Sequence, residues 1–425
     1  MKPLLRPSVQ AWALYDFANT IFSMNVLTMY FAQWVVLDRG LESLWYSGAY
    51  SLSMVFVALT LPVLGAISDG GGRRRASLIA FTSACVLATA ALGPASAALP
   101  GGDGARVALV LFAVANYAFQ GGLVFYNALL PSLAPPRQIG LVSGYGVFLG
   151  YIGAIAGLLL VSPFVERAVL PGALGSGRAA AFVPTALFFA VFAAPLLLFV
   201  RERGGPARRP TVREAIAGVR EALLDTRRYP GVRTFLIANF LLVDAISTAI
   251  LYMAVYAQVV MGMDDRAKIP LFIVSTTSAA LGSLAAGRLS DRWGPRRAFG
   301  FVFAGWTVAL LLLAVTTKPW MFWALGSVVG VCLGSAWAVS RPLLVALVPE
   351  GEAGRFFGLF ALADKSAAVI GPLAWGLVVW ALRGEPVLRY RAAIVTLALF
   401  VIAGWLVFRR VPDPTTRTVT EEVRT

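Results

Sequence analysis

Apolar residues run through this chain in long blocks, separated by short polar connections rich in glycine and arginine. Neither the alternation of a half-buried strand nor the stripe of a soluble amphipathic helix explains blocks of this length. A bilayer core takes roughly 20 apolar residues per helix. Twelve blocks reach that length, near 8–36, 43–68, 76–98, 106–130, 138–165, 179–200, 232–261, 268–287, 298–317, 319–347, 355–382 and 391–409. Strands of a membrane barrel would alternate in polarity, and these blocks do not. The first block stays apolar to about Val36. That exceeds the roughly 7–15-residue core of a signal peptide, so it reads as a retained transmembrane helix.

The longest polar interval, 201–231, follows the sixth block. The expected fold is therefore an all-α membrane protein with twelve transmembrane helices in two pseudo-symmetric six-helix bundles. The bundles span 1–200 and 232–411, joined by a cytoplasmic linker at 201–231 and followed by a tail at 412–425. Within the linker, "TVREAIAGVREALLDTRRYP" predicts a helix. Thr211 and Glu214 have capping-box spacing, and Val212, Ile216, Val219 and Leu223 form an apolar stripe. Such a helix suits the inner membrane face; docking of a partner is the alternative.

Composition sharpens this reading. Hydrophobic residues make up 59% and charged residues only 13%, against roughly a quarter charged in soluble domains. The net charge of +15 sits in short clusters between apolar blocks, so no nucleic-acid partner is expected. The basic clusters fall mainly in alternate connections, which places both termini in the cytoplasm. The wealth of Ala, Gly and Arg suits a bacterial chain, and hence a bacterial cytoplasmic (inner) membrane. There is no histidine, and the two cysteines, Cys85 and Cys332, lie inside apolar blocks. Histidine relays and histidine metal sites are thereby excluded, and a titrating group must be a carboxylate. No nucleophile elbow is present, and "GLFALADKS" lacks the glycine that precedes the lysine of a phosphate-binding loop. An enzyme, a metal site and a cofactor are not expected.

Five charged residues fall inside the blocks: Asp16, Asp244, Arg341, Asp364 and Lys365. A charge near the bilayer centre costs on the order of 2.5–3.5 kcal/mol on insertion scales, so it has a partner or a task. All five lie between the inner face and mid-membrane. Asp16 and Asn19 are three apart and share a helix face. Asn116, Gln120 and Asn127 form a polar stripe on the fourth block, which either lines a cavity or cements helices. For Asp16 three roles stand open: a structural ion pair, substrate or proton binding, or a gate. Asp244 is similar.

Two segments repeat across the halves. "GAISDGGGRRRA" at 65–76 and "GRLSDRWGPRRA" at 287–298 each follow the second block of their half. A second echo pairs "LAPPRQIGLVSG" at 133–144 with "LVPEGEAGRFFG" at 347–358. The first pair resembles the major facilitator superfamily signature, Gly-x-x-x-Asp-Arg/Lys-x-Gly-Arg-Arg/Lys. One copy supplies Gly65, Asp69, Gly72, Arg73 and Arg74, with Gly70 where a base is usual. The other supplies Gly287, Asp291, Arg292, Gly294, Arg296 and Arg297, with Pro295 in place of an arginine. The resemblance implies a conformational latch. Gly65 and Gly287 would allow close helix approach, and Asp69 and Asp291 would face the N-termini of the eleventh and fifth helices near Gly354 and Gly140. The arginines would hold the aspartates and lipid phosphates.

Three further stretches, "AWALYDFANTIF", "FLLVDAIST" and "SRPLLVALVPEGEAGRFFGLFALADKSAAVIGP", resemble the vacuole-effluxer-like branch. The most specific blocks are Trp12, Tyr15, Asp16, Phe17, Ala18, Asn19 and Phe356, Phe357, Gly358. Fungal members imply amino-acid export. Asn116 stands where the superfamily often has an arginine, and the glycine-rich fifth helix lacks the antiporter Gly-Pro, which appears instead as Gly371–Pro372 in the eleventh. The resemblance implies a secondary active transporter of a small molecule working by alternating access. An amino acid or similar zwitterion would place its amine on an aspartate and its carboxylate on Lys365 or Arg341, with Asp16 or Asp244 carrying a coupling proton. Membrane lipids and protons are the other expected partners, and a single copy the working unit. Export of drug-like amphipathic compounds, or a non-transporting receptor on the same fold, are the alternatives.

Overall fold

The computed structural model describes residues 5–69, 74–99, 101–133, 139–167, 169–199, 230–348, 362–364 and 366–413, with isolated positions between 211 and 229 and at 360. We number the helices α1 (Pro7–Asp38), α2 (Ser43–Asp69), α3 (Arg74–Ala98), α4 (Gly101–Leu133), α5 (Ile139–Glu166) and α6 (Phe182–Phe199). The second series is α7 (Pro230–Met261), α8 (Asp265–Trp293), α9 (Pro295–Val315), α10 (Pro319–Leu347), α11 (Ile370–Ala381) and α12 (Leu388–Phe408). Ten described helices are long and apolar enough to cross a bilayer. The chain is an integral membrane protein.

Local chemistry sets many of these boundaries. Pro7, Pro230, Pro295 and Pro319 open their helices, where a missing N–H costs nothing and φ is already helical. Asp264 caps α8 by accepting from the Ala267 N–H at 2.8 Å. Gly262, at φ +66°, ends α7 in the left-handed region. The α1 segment is α-helical from Pro7 to Phe22 and then widens into π-helical turns at Ser23–Tyr30 and Trp34–Asp38.

Helix eleven is broken. Residues 367–369 form a turn, and regular α-helix restarts at Ile370. Pro372 explains the position. It cannot donate to the Ala368 carbonyl four residues back, and its ring crowds that carbonyl.

The chain groups into two units, Met1–Ile216 with Ile250–Val255, and Ala217–Ala249 with Tyr256–Thr425. Each uses equivalent internal pairings: α2 with α4 and α3 with α6 in the first unit, α8 with α10 and α9 with α12 in the second. Small residues make these pairings close. Gly146, Gly150, Gly153 and Gly157 face α1 from one side of α5, and a Cβ at Gly153 would strike the Phe17 carbonyl oxygen. Gly326, Gly330 and Gly334 recur every four residues along α10. Cβ atoms at Gly330 and Gly334 would strike the carbonyl oxygens of Ser275 and Ala279 on α8.

Polar contacts fasten the same pairs. Asn116 donates to Ser53 Oγ at 2.8 Å, joining α4 to α2. Arg75 donates to the Leu197 carbonyl at 2.7 Å and to that of Leu198 at 3.3 Å, gripping the C-terminal end of α6. Arg296 does the same in the other unit, reaching the carbonyls of Val411 at 2.7 Å and Arg409 at 3.2 Å beyond α12. Lys268, fully buried near the start of α8, donates to Asp265 and to Gln258 Oε1, both at 2.8 Å.

The linker's capping box is present. The Thr211 N–H donates to Glu214 Oε2 at 2.8 Å, and the Glu214 N–H donates to Thr211 Oγ1 at 3.2 Å. Losing such a cap costs about 1 kcal/mol. Thr211→Ala is therefore expected to speed protease cleavage between 211 and 229 several-fold; unchanged cleavage would refute a role for the cap.

Candidate transport site

In the first unit Asp16 lies half-buried on α1. It faces α5 so closely that a Cβ on Gly150 would stand 3.3 Å from its Oδ2. Thr20, one turn on, donates to the Gly150 carbonyl at 2.6 Å, so α1 and α5 meet backbone to side chain at this level. Among the described residues no donor satisfies the Asp16 carboxylate. Asn19 is 3% exposed, and its Oδ1 has no partner. Beside Asp16 stands an aromatic stack. The Tyr126 ring lies 4.5 Å from Trp12 and 5.0 Å from Tyr15. Trp12 Nε1 donates to the Tyr126 carbonyl at 3.1 Å, and the Tyr15 hydroxyl pairs with Thr82 Oγ1 at 2.8 Å. The Tyr126 hydroxyl is buried and unpartnered.

In the second unit Asp244 is fully buried on α7. A Cβ on Gly371 would stand 3.1 Å from its carboxyl carbon. The N–H groups of Ile370 and Gly371, exposed by the helix break, face the carboxylate, yet neither oxygen completes a hydrogen bond of normal geometry. Asp364 lies on the N-terminal side of the break and accepts from Asn239 Nδ2 at 2.7 Å. Asn239 is 2% exposed. Its position five residues before Asp244 on α7 could have drawn notice as an intramembrane amide.

The remaining sequence-predicted residues divide as follows. Asn116 serves helix packing through Ser53, leaving its Oδ1 unpartnered, and Gln120 is buried four residues on. Asn127 and Arg341 are exposed. Lys365, Arg73 and the proposed helix-eleven N-terminus near Gly354 lie outside the described residues, as do the side chains of Asp69, Arg74 and Asp291. Gly65 and Asp69 close α2, and Arg292 is exposed. The expected tight approach at Gly287 is not seen: a Cβ there would meet nothing within 4 Å among the described residues. Arg296, expected on an aspartate or a lipid phosphate, holds the end of α12. Its counterpart Arg75 escaped the sequence reading because which arginine of a run points inward depends on helix phase.

Among the described residues no three His, Cys, Asp or Glu gather as a metal site. A cavity of about 580 Å³ opens near the start of α1, lined by Pro7, Gln10, Leu14, Leu149, Pro195 and Phe199. None of the described intramembrane charges lines it.

Comparison with known proteins agrees with this architecture. The chain is 25% identical over 423 residues to a protein of Bacillus subtilis (strain 168) called the uncharacterized MFS-type transporter YxiO, covering 97% of this chain and 96% of that one. It is 29% identical over 273 residues to autophagy-related protein 22-2 of Sclerotinia sclerotiorum, covering 56% of this chain and 39% of the fungal protein. The crystal structure of the nucleoside transporter NupG matches the fold with a TM-score of 0.69 at 14% identity, covering 96% of this chain and 99% of that one. A bacterial homolog of the human lysosomal transporter Spinster, in an inward-facing and unoccupied conformation, matches with a TM-score of 0.71 at 15% identity, covering 96% of each. Residues 45–418 match the family described as vacuole effluxer Atg22 like. With its two six-helix series and this match over most of its length, the chain belongs to the vacuole effluxer Atg22-like family of major facilitator transporters.

Proposed function

We propose that this transporter exports an amino acid or similar zwitterion across a bacterial cytoplasmic membrane by alternating access, coupled to protons, with both termini in the cytoplasm. The observation that carries the reading is the pair Asp16 and Asp244. Each sits on the first helix of its half, withdrawn from water and without a counter-ion among the described residues. In a chain without histidine these acids are the groups suited to carry a coupling proton or to meet a substrate amine. The family description as an effluxer supports the direction. Arg341, or Lys365 beside Asp364, would take the substrate carboxylate. Rocking of the halves would break and remake the cytoplasmic latch at Asp69 and Asp291.

The test is transport in liposomes holding purified protein, with radiolabelled amino acids and pH gradients of either sign. Gradient-driven movement of at least one amino acid is expected, and Asp16→Asn is expected to slow it about tenfold, equivalent to roughly 1.4 kcal/mol. No amino acid moving under either gradient would refute the substrate class. Equal gradient-driven rates in Asp16→Asn would refute its coupling role. Movement of amphipathic cations alone would favour a drug exporter, a reading the Trp12–Tyr126–Tyr15 stack also suits.

A further inference from the structure

The first helix of each half carries one short pattern. Asp16-Phe17-Ala18-Asn19-Thr20 in α1 matches Asp244-Ala245-Ile246-Ser247-Thr248 in α7. Both have an aspartate, then Asn or Ser at the third position after it and Thr at the fourth. Both threonines turn back to the carbonyl of their own aspartate, at 3.0 Å for Thr20 and 2.7 Å for Thr248. Both aspartates press on a glycine of the fifth helix of their half, Gly150 or Gly371. The two boxes are built alike.

They differ in what meets the carboxylate. At Gly371 the break in helix eleven turns two N–H groups toward Asp244. These amides and the helix N-terminus offset its charge. At Gly150 α5 is unbroken, its N–H groups are spent within the helix, and Asp16 meets no donor among the described residues. Around Asp16 other polar atoms also lack partners. Asn19 Oδ1 lies one turn along the same face, buried. The Tyr126 hydroxyl lies against α5 one turn from Gly150, since a Cβ on Gly146 would stand 3.2 Å from it. Tyr126 is 2% exposed, and its ring is stacked with Trp12 and Tyr15.

An anionic oxygen, two unpartnered oxygens able to accept and a bank of aromatic rings are the complement of an ammonium group. Its three N–H bonds require acceptors, and its charge is favoured near ring faces. We propose that the first unit holds an ammonium-binding site made by Asp16, Asn19 and Tyr126. This rests on the transport reading above and assigns the substrate amine to one half of the chain.

The test is thermal stabilisation of the purified full-length protein by four probes: leucine, 3-methylbutylamine, cadaverine and N-acetylleucine. A ligand that binds the folded state raises Tm by mass action. The three free amines are expected to raise it and N-acetylleucine is not. Asp16→Asn should abolish the shift, and Tyr126→Phe should weaken binding about tenfold while keeping the ring stack. If Asp16→Asn does not fold, Tyr126→Phe carries the test. The proposal is overturned if no free amine shifts the wild type or N-acetylleucine acts equally. It is also overturned if the shift survives Asp16→Asn or is unchanged in Tyr126→Phe. Amines that bind through Asp16 without any amino acid being transported would leave this site standing and remove the amino-acid reading. Transported amino acids whose acetylated forms bind equally would do the reverse.

Discussion

Gly153→Val is expected to lower Tm by more than any conservative change elsewhere in α5, with loss of much of the folded yield. The added Cβ would strike the Phe17 carbonyl oxygen and lie 2.6 Å from Thr20 Oγ1 and 2.7 Å from Phe17 Cα. Two of these three atoms are backbone, so no side-chain rotation relieves them, and α1 must move off α5. Overpacking of this kind costs roughly 1–3 kcal/mol and sometimes more; backbone collision puts this case at the upper end. Gly334→Ala is expected to act alike in the second unit, because its Cβ would strike the Ala279 carbonyl oxygen. The control is Gly287→Ala, where a Cβ meets nothing within 4 Å among the described residues. There the gain in helix propensity, about 1 kcal/mol, should leave Tm unchanged or higher. Opposite signs at Gly153 and Gly287, measured in the same detergent, support the packing account. A Gly153→Val protein as stable as Gly287→Ala would end it.

The second large effect is at the two arginine clasps. Arg75→Ala and Arg296→Ala each remove hydrogen bonds from a charged donor to carbonyls at a helix end. Bonds of that kind contribute about 1.5–3 kcal/mol, and a cation at a helix C-terminus adds to this. Each variant should lose several degrees of Tm. Lysine at either place should recover only part of the loss, because it keeps the charge and forfeits the planar fork. The clasps lie in separate units, so the double variant should lose the sum. An Arg75→Ala protein with wild-type Tm would show that the Leu197 contact carries no weight.

How much of this can be read beforehand depends on the kind of interaction. Apolar block length locates twelve helices, because bilayer thickness leaves few alternatives to a helix of about 20 residues. The Thr211–Glu214 cap is legible since both partners are local. Asp16 and Asp244 stand out because charge is rare in such blocks. The glycines of α5 are visible as a group, yet their use in seating α1 comes from the spacing 146, 150, 153, 157, which keeps them on one face. Hidden from the sequence are contacts set by helix rotation and long-range pairing: Asn239 on Asp364, Tyr126 between Trp12 and Tyr15, and Arg75 as a helix clasp. The Gly371–Pro372 pair is visible, but its effect, freeing two amides beside Asp244, requires knowing that α7 passes at that level.

The clasps also bear on how the chain is made. Arg75 leaves the ribosome 122 residues before its acceptor Leu197, an interval of roughly 6–24 s at synthesis rates of about 5–20 residues per second. Through that interval its natural partners are lipid phosphates and water. Only delivery of the sixth helix offers the backbone carbonyls that replace them. Arg296 repeats the wait for the carbonyls beyond α12. Assembly of this transporter thus has two timed closures, each set by the arrival of the last helix of a half.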